Sequence, residues 1–99
     1  MADTFNLAEE APAALAKIAA RVTGLHVADV PAEPGRTDRD LPGEAGSRSA
    51  ELVRALVAAG WNSFLDVEIF STPDHFWSLP VDEAARRAHA AASALLESA

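Results

Sequence analysis

At 99 residues with a formal net charge of −7 and a pI near 4.7, the chain holds one domain at most. It lacks the basic face that nucleic acid or an anionic membrane would need, so neither is an expected partner. With no cysteine it has neither disulfides nor thiolate metal sites, and no apolar run nears the roughly 20 residues of a membrane span. Asp3, Glu9 and Glu10 stand where a signal peptide would be basic and then apolar, so a cytoplasmic location is expected.

Residues 1–6 read as the tail of a strand running into a helix. From Leu7 to Val22 the pattern is helical, with Ala11, Leu15, Ile18 and Val22 on one face. Pro12 places the regular start of that helix near Ala11, and Gly24 is its stop. Leu25–Val30 is a second strand, with His26 and Ala28 on one face and Leu25 and Val27 on the other; Pro31 ends it. A long polar stretch to Arg48 carries turn signals at Pro34-Gly35, Pro42-Gly43 and Gly46. Ser49–Ala59 is a second helix with Leu52, Leu56 and Ala59 on one face and Gly60 as its cap. A third strand runs from Ser63 to Ser71. Leu65, Val67 and Ile69 form one apolar face; Phe64, Asp66, Glu68 and Phe70 alternate on the other. A loop follows with His75, Phe76 and Trp77. The last helix, Asp82–Ser98, has an acidic first turn and an apolar face of Ala85, Ala88, Ala92, Leu95 and Leu96. Strands alternating with helices of this size predict an α/β fold of parallel strand-helix repeats.

A carboxylate inside an apolar strand is costly to bury unless it is paired, protonated or bound to a cation, which singles out Glu68. Asp3 and His26 occupy comparable places on the other two strands. In a parallel β/α arrangement the strand ends share one rim, so these three side chains can converge. Two carboxylates and an imidazole suit Mn²⁺, Mg²⁺, Co²⁺ or Zn²⁺. On spacing alone the competing readings stay open: a hydrogen-bonded structural histidine, and a rim carboxylate paired with an arginine. Trp61 reads as a packing anchor, Arg86-Arg87 as a solvated helix face, and His75 and His89 as solvent-facing.

Leu25-His26-Val27-Ala28-Asp29-Val30, Pro42-Gly43-Glu44, Gly60-Trp61 and Asp66-Val67-Glu68-Ile69-Phe70 resemble the C-terminal part of the sugar phosphate isomerase/epimerase family, the xylose isomerase-like TIM barrels. Asp3-Thr4-Phe5-Asn6 is similar to that family's Asp-Thr-Phe-His segment, and Phe76-Trp77-Ser78 with the helix from Glu83 resembles its last β/α unit. The resemblance implies about three β/α units of a (β/α)8 barrel, incomplete in these 99 residues. It implies that Asp3, His26 and Glu68 are divalent-metal ligands and that Glu68 is also a catalytic acid/base beside a carbonyl. It implies substrate contacts from Asn6, which stands where the family has histidine, and from Arg36, with Arg39 as the competitor for that role. Trp77 is a candidate to line the pocket of a sugar or other hydroxy-carbonyl substrate. The family's remaining metal-binding glutamate has no counterpart here, so the isolated chain is expected to be inactive. The rival reading is a non-catalytic α/β module that forms homo-oligomers through its open sheet edges.

Overall fold

The computed structural model describes residues 2–4, 11–31, 33, 38–43 and 48–99, with the side chain of Arg48 left aside. The elements are β1 (Ala2–Asp3), α1 (Ala11–Lys17), a 3₁₀ turn (Ala19–Arg21), β2 (Gly24–Val27), α2 (Arg48–Ala58), β3 (Phe64–Val67), a second 3₁₀ turn (Phe76–Ser78) and α3 (Val81–Ser98). The three strands form one parallel sheet in the order β1-β2-β3. The alternation of strands with helices therefore delivers the mixed α/β class it predicts.

The sheet has two unlike faces because side chains alternate along each strand. Leu25 and Val27 are fully buried. They join Leu15 and Val22 from the α1 region, Leu52, Val53 and Leu56 of α2, Trp61, and Leu95 of α3 in a single apolar cluster, with Ala2, Leu65 and Val67 packed against it. All three helices therefore cover the same face. Trp61 anchors the core as expected, and its indole Nε1 donates to the Val22 carbonyl at 2.8 Å. The opposite face presents Asp3, His26, Phe64, Asp66 and Glu68. Phe64 is 55% exposed, so no helix among the described residues lies over it.

Several expected faces shift. Ile18 is half-exposed and Ala19 is buried instead, because the chain leaves α-geometry after Lys17 and tightens into a 3₁₀ turn. On α2 the buried set is Ser49, Leu52, Val53 and Leu56, and Ala59 is exposed. On α3 Leu95 alone is buried; Leu96 and Ala85 face solvent. An alanine-rich helix gives little apolar contrast from which to read its register. Gly60 does close α2 as predicted, with φ at +92°, a conformation that glycine adopts without steric cost.

Both later strands are shorter than predicted, for one reason. Residues 38–41 form a strap across their C-terminal ends. Asp29 and Asp40 exchange backbone hydrogen bonds at 2.9 and 3.0 Å, and the Arg39 amide donates to the Phe70 carbonyl at 2.7 Å. Backbone groups that would have continued β2 and β3 are taken by the strap.

Candidate functional site

The parallel register builds the site. Asp3 pairs with His26, and His26 with Asp66, so the three stand in one row across the sheet on the open face. Glu68 is the next residue of the same face beyond Asp66, and its amide still bonds the Val27 carbonyl at 3.3 Å. Asp3, His26 and Glu68 each bring one ligand atom within 4.8 Å of the others. All three are partly buried. The strand pairing thus brings together the residues that the sequence singles out.

His26 lies between two carboxylates. Its Nε2 is 3.4 Å from Asp66 Oδ2, and its Nδ1 is 3.4 Å from Glu68 Oε2. A neutral imidazole donates from one nitrogen and accepts at the other. Donation to Asp66 would leave the Nδ1 lone pair facing Glu68, the arrangement by which an outer carboxylate orients a ligating histidine. Asp66 is 59% exposed on its side chain, because its face carries no covering layer among the described residues.

Arg39 completes the cluster. Its side chain is only 8% exposed, and Nη1 lies 3.3 Å from Asp3 Oδ2 and 3.2 Å from Glu68 Oε2. The guanidinium also stacks over the Phe70 ring, 4.3 Å from its centroid, a geometry in which the ring face attracts the cation. Of the two arginines that the sequence offers to the site, Arg39 is therefore the one seen to join it. Asn6 and Arg36 lie outside the described residues. Trp77 is 58% exposed, and its indole donates to the carbonyl of Ile69, the residue after Glu68, at 3.2 Å.

The donor set fits a hard divalent cation in type. Oxygen and nitrogen ligands bind Zn²⁺ or Mg²⁺ at about 2.0–2.2 Å, which places neighbouring ligand atoms roughly 3–4 Å apart. The observed limit of 4.8 Å needs only a modest contraction. Among the described residues Asp3, Asp66 and Glu68 are set against the guanidinium of Arg39, so carboxylates outnumber cations there and a further positive charge suits the cluster. A cleft of about 250 Å³ opens beside Arg39, lined also by Leu41, His75, Phe76, Leu79 and Arg87. His75 lies 3.7 Å from the buried Asp38, which ties the strap to the loop after β3.

A second polar group, which sequence reasoning does not find, lies directly behind the site. Thr4 and Ser49 have no exposure and Asp29 has 1%. Thr4 Oγ1 donates to the Ala28 carbonyl at 3.0 Å and accepts from the Ala28 amide at 3.1 Å. Asp29 accepts from Ser49 Oγ at 2.6 Å, the Ser49 amide at 3.3 Å and the Gly43 amide at 2.7 Å. The carboxylate so caps the N-terminus of α2, where the helix dipole favours negative charge. The Thr4–Ala28 bonds tie together the ends of the strands that carry Asp3 and His26.

Comparison with protein-family models, with curated proteins and with solved structures finds no match to this chain. No described helix is long and apolar enough to cross a membrane.

Proposed function

We propose that this chain contributes to a divalent-metal site of the xylose isomerase-like kind, acting on a sugar or another hydroxy-carbonyl compound. The observation that carries the reading is the convergence of Asp3, His26 and Glu68 from three successive parallel strands onto the face that the helices leave open. The topology supports it. Sequential strand order with every helix on one side is the pattern of a barrel wall, whereas a doubly wound sheet reverses its order and places helices on both sides. On this reading the chain is three β/α units of a (β/α)8 barrel.

A bound Mn²⁺, Mg²⁺, Co²⁺ or Zn²⁺ would polarise a substrate carbonyl and hydroxyl. The chain's own residues do the rest. Asp3 and His26 would hold the cation, and Asp66 would orient the His26 ring. Glu68 would be a ligand and, on this reading, the carboxylate that moves a proton beside the carbonyl. Three units do not close an eight-stranded barrel, so the 99 residues are expected to bind metal without turning over substrate.

The test is a thermal melt with and without Mn²⁺ on the wild type, Asp3→Ala, His26→Ala and Glu68→Ala. A cation at a hundred times its Kd stabilises by about 2.7 kcal/mol, which for a domain of this size raises Tm by on the order of 10 °C. Each substitution removes the shift. A cooperative melt that ignores millimolar Mn²⁺ refutes the reading. It would favour instead a non-catalytic module in which Arg39 alone neutralises the carboxylates and the half-exposed Phe64 and Phe70 face a second copy.

A further inference from the structure

Arg39 stands where a cation shared by Asp3 and Glu68 would have to stand. We infer that Arg39 is an internal competitor for that cation: its guanidinium and a divalent metal are alternative occupants of the same two carboxylates, and the strap 38–41 sets the metal affinity of the site. The inference rests on the metal reading above. It adds a residue that controls the affinity and a side chain that must move.

Two features argue for it. One is distance. A single guanidinium nitrogen lies 3.2–3.3 Å from an oxygen of Asp3 and from an oxygen of Glu68. A metal bound to those same oxygens at about 2.1 Å falls within a few ångströms of that nitrogen, and two cations so close in a partly buried place repel strongly. The other is how the guanidinium is delivered. It comes neither from a strand nor from a helix, but from a short strap held by the Asp29–Asp40 and Arg39–Phe70 backbone bonds and by the Asp38–His75 pair. Those attachments lie at its ends and along its backbone. For a metal to bind, the side chain would have to leave Asp3, Glu68 and the Phe70 ring for the cleft it already lines, a movement that the strap's backbone bonds do not themselves oppose.

Competition of this kind makes specific demands on binding. Neutralising residue 39 by Arg39→Gln tightens Mn²⁺ binding by roughly tenfold or more, whereas Arg39→Lys, which keeps the charge, stays near the wild type. Binding is read directly from loss of the free Mn²⁺ resonance lines in electron paramagnetic resonance, with no need for turnover. Because removing a buried guanidinium can destabilise the fold, a second measurement uses the unaltered chain. The Arg39 side-chain Nε–H resonance is followed by NMR as Mg²⁺ is added. It moves together with the backbone amides of Asp3, His26 and Glu68, while the Arg86 resonance, outside the cleft lining, stays in place.

The outcomes separate the two proposals. Tighter binding by Arg39→Gln, or an Arg39 resonance that moves with Mg²⁺, supports the competition. Equal affinity of wild type and Arg39→Gln, or an unmoved Arg39 signal while the site amides shift, overturns it and leaves the metal site standing. Absence of binding in the wild type and in every variant overturns both.

Discussion

Replacing Asp29 with alanine removes a carboxylate that is 1% exposed and accepts three hydrogen bonds. Ser49 Oγ keeps an alternative acceptor in the Ala28 carbonyl at 3.1 Å, so that hydroxyl is not stranded. The Gly43 and Ser49 amides lose their acceptor. A buried donor left without a partner costs about 1–3 kcal/mol, and loss of negative charge at the N-terminus of α2 adds about 0.3–1 kcal/mol. The Ser49 amide is buried and takes the full penalty, whereas Gly43 is exposed and its amide can turn to water, so the sum is about 1–4 kcal/mol, a sizeable part of the ~5–15 kcal/mol expected for a domain of this length. Urea denaturation followed by the fluorescence of buried Trp61 reads the change. With a slope of roughly 2 kcal/mol per molar, the midpoint falls by about 0.5–2 M. Asp29→Asn should fall between, since its amide oxygen can still accept from Ser49 while its NH₂ group faces the Gly43 donor. If Asp29→Ala unfolds within about 1 kcal/mol of the wild type, the capping account of this network is wrong.

Leu56 has no exposure at the centre of the apolar cluster, so Leu56→Ala should cost about 2–5 kcal/mol in the same denaturation assay. At Gly60 an added Cβ meets nothing within 4 Å; the φ of +92° alone makes Gly60→Ala destabilising, by about 1 kcal/mol, and a loss near zero would show that the backbone can relax. Phe64→Ser, on the open face at 55% exposure, should leave stability within about 0.5 kcal/mol and lower any self-association seen by sedimentation. Hydrogen bonds from Arg87 and then Arg86 hold the Glu83 carboxyl below its ordinary value of 4.5. That group's small, salt-screened support of α3 is complete above about pH 4.5 and is lost as pH falls through the lowered value. An NMR titration that finds Glu83 at or above 4.5 would contradict the pairing.

What the sequence makes legible is whatever depends on short-range periodicity. The period-two alternation about Leu65 and Val67 and the helical spacing of Leu52 and Leu56 are local, and they suffice for parallel strand-helix repeats. Pro12 and Gly60 mark helix ends through backbone geometry alone. The row Asp3, His26, Asp66 follows once the strands are known to be parallel, because register then aligns their polar positions. The strap is not legible in this way. Its ties join residues separated by loops, and nothing local distinguishes Arg39 from Arg36. Thr4, Asp29 and Ser49 are hidden for the same reason: each looks like an ordinary polar residue near a turn, and only the tertiary fold closes them into a buried network. The shifts at Ile18, Ala85 and Leu96 have another origin. In helices this rich in alanine, packing chooses the register and the pattern cannot.

The topology has a consequence for how the molecule comes together in time. β1 meets β2 across 23 positions (Ala2 and Leu25), whereas β2 meets β3 across 40 (Gly24 and Phe64). Closing the longer loop costs about 0.5 kcal/mol more in chain entropy, so on loop closure alone the first pair is the cheaper to form, and the expected order has β3 docking last. Asp3 and His26 are then already side by side when Glu68 arrives, and Arg39 comes down between strands that have just met. The carboxylate cluster is a product of the last folding step rather than a seed for it. A cation added during refolding should therefore slow unfolding and leave the folding rate unchanged.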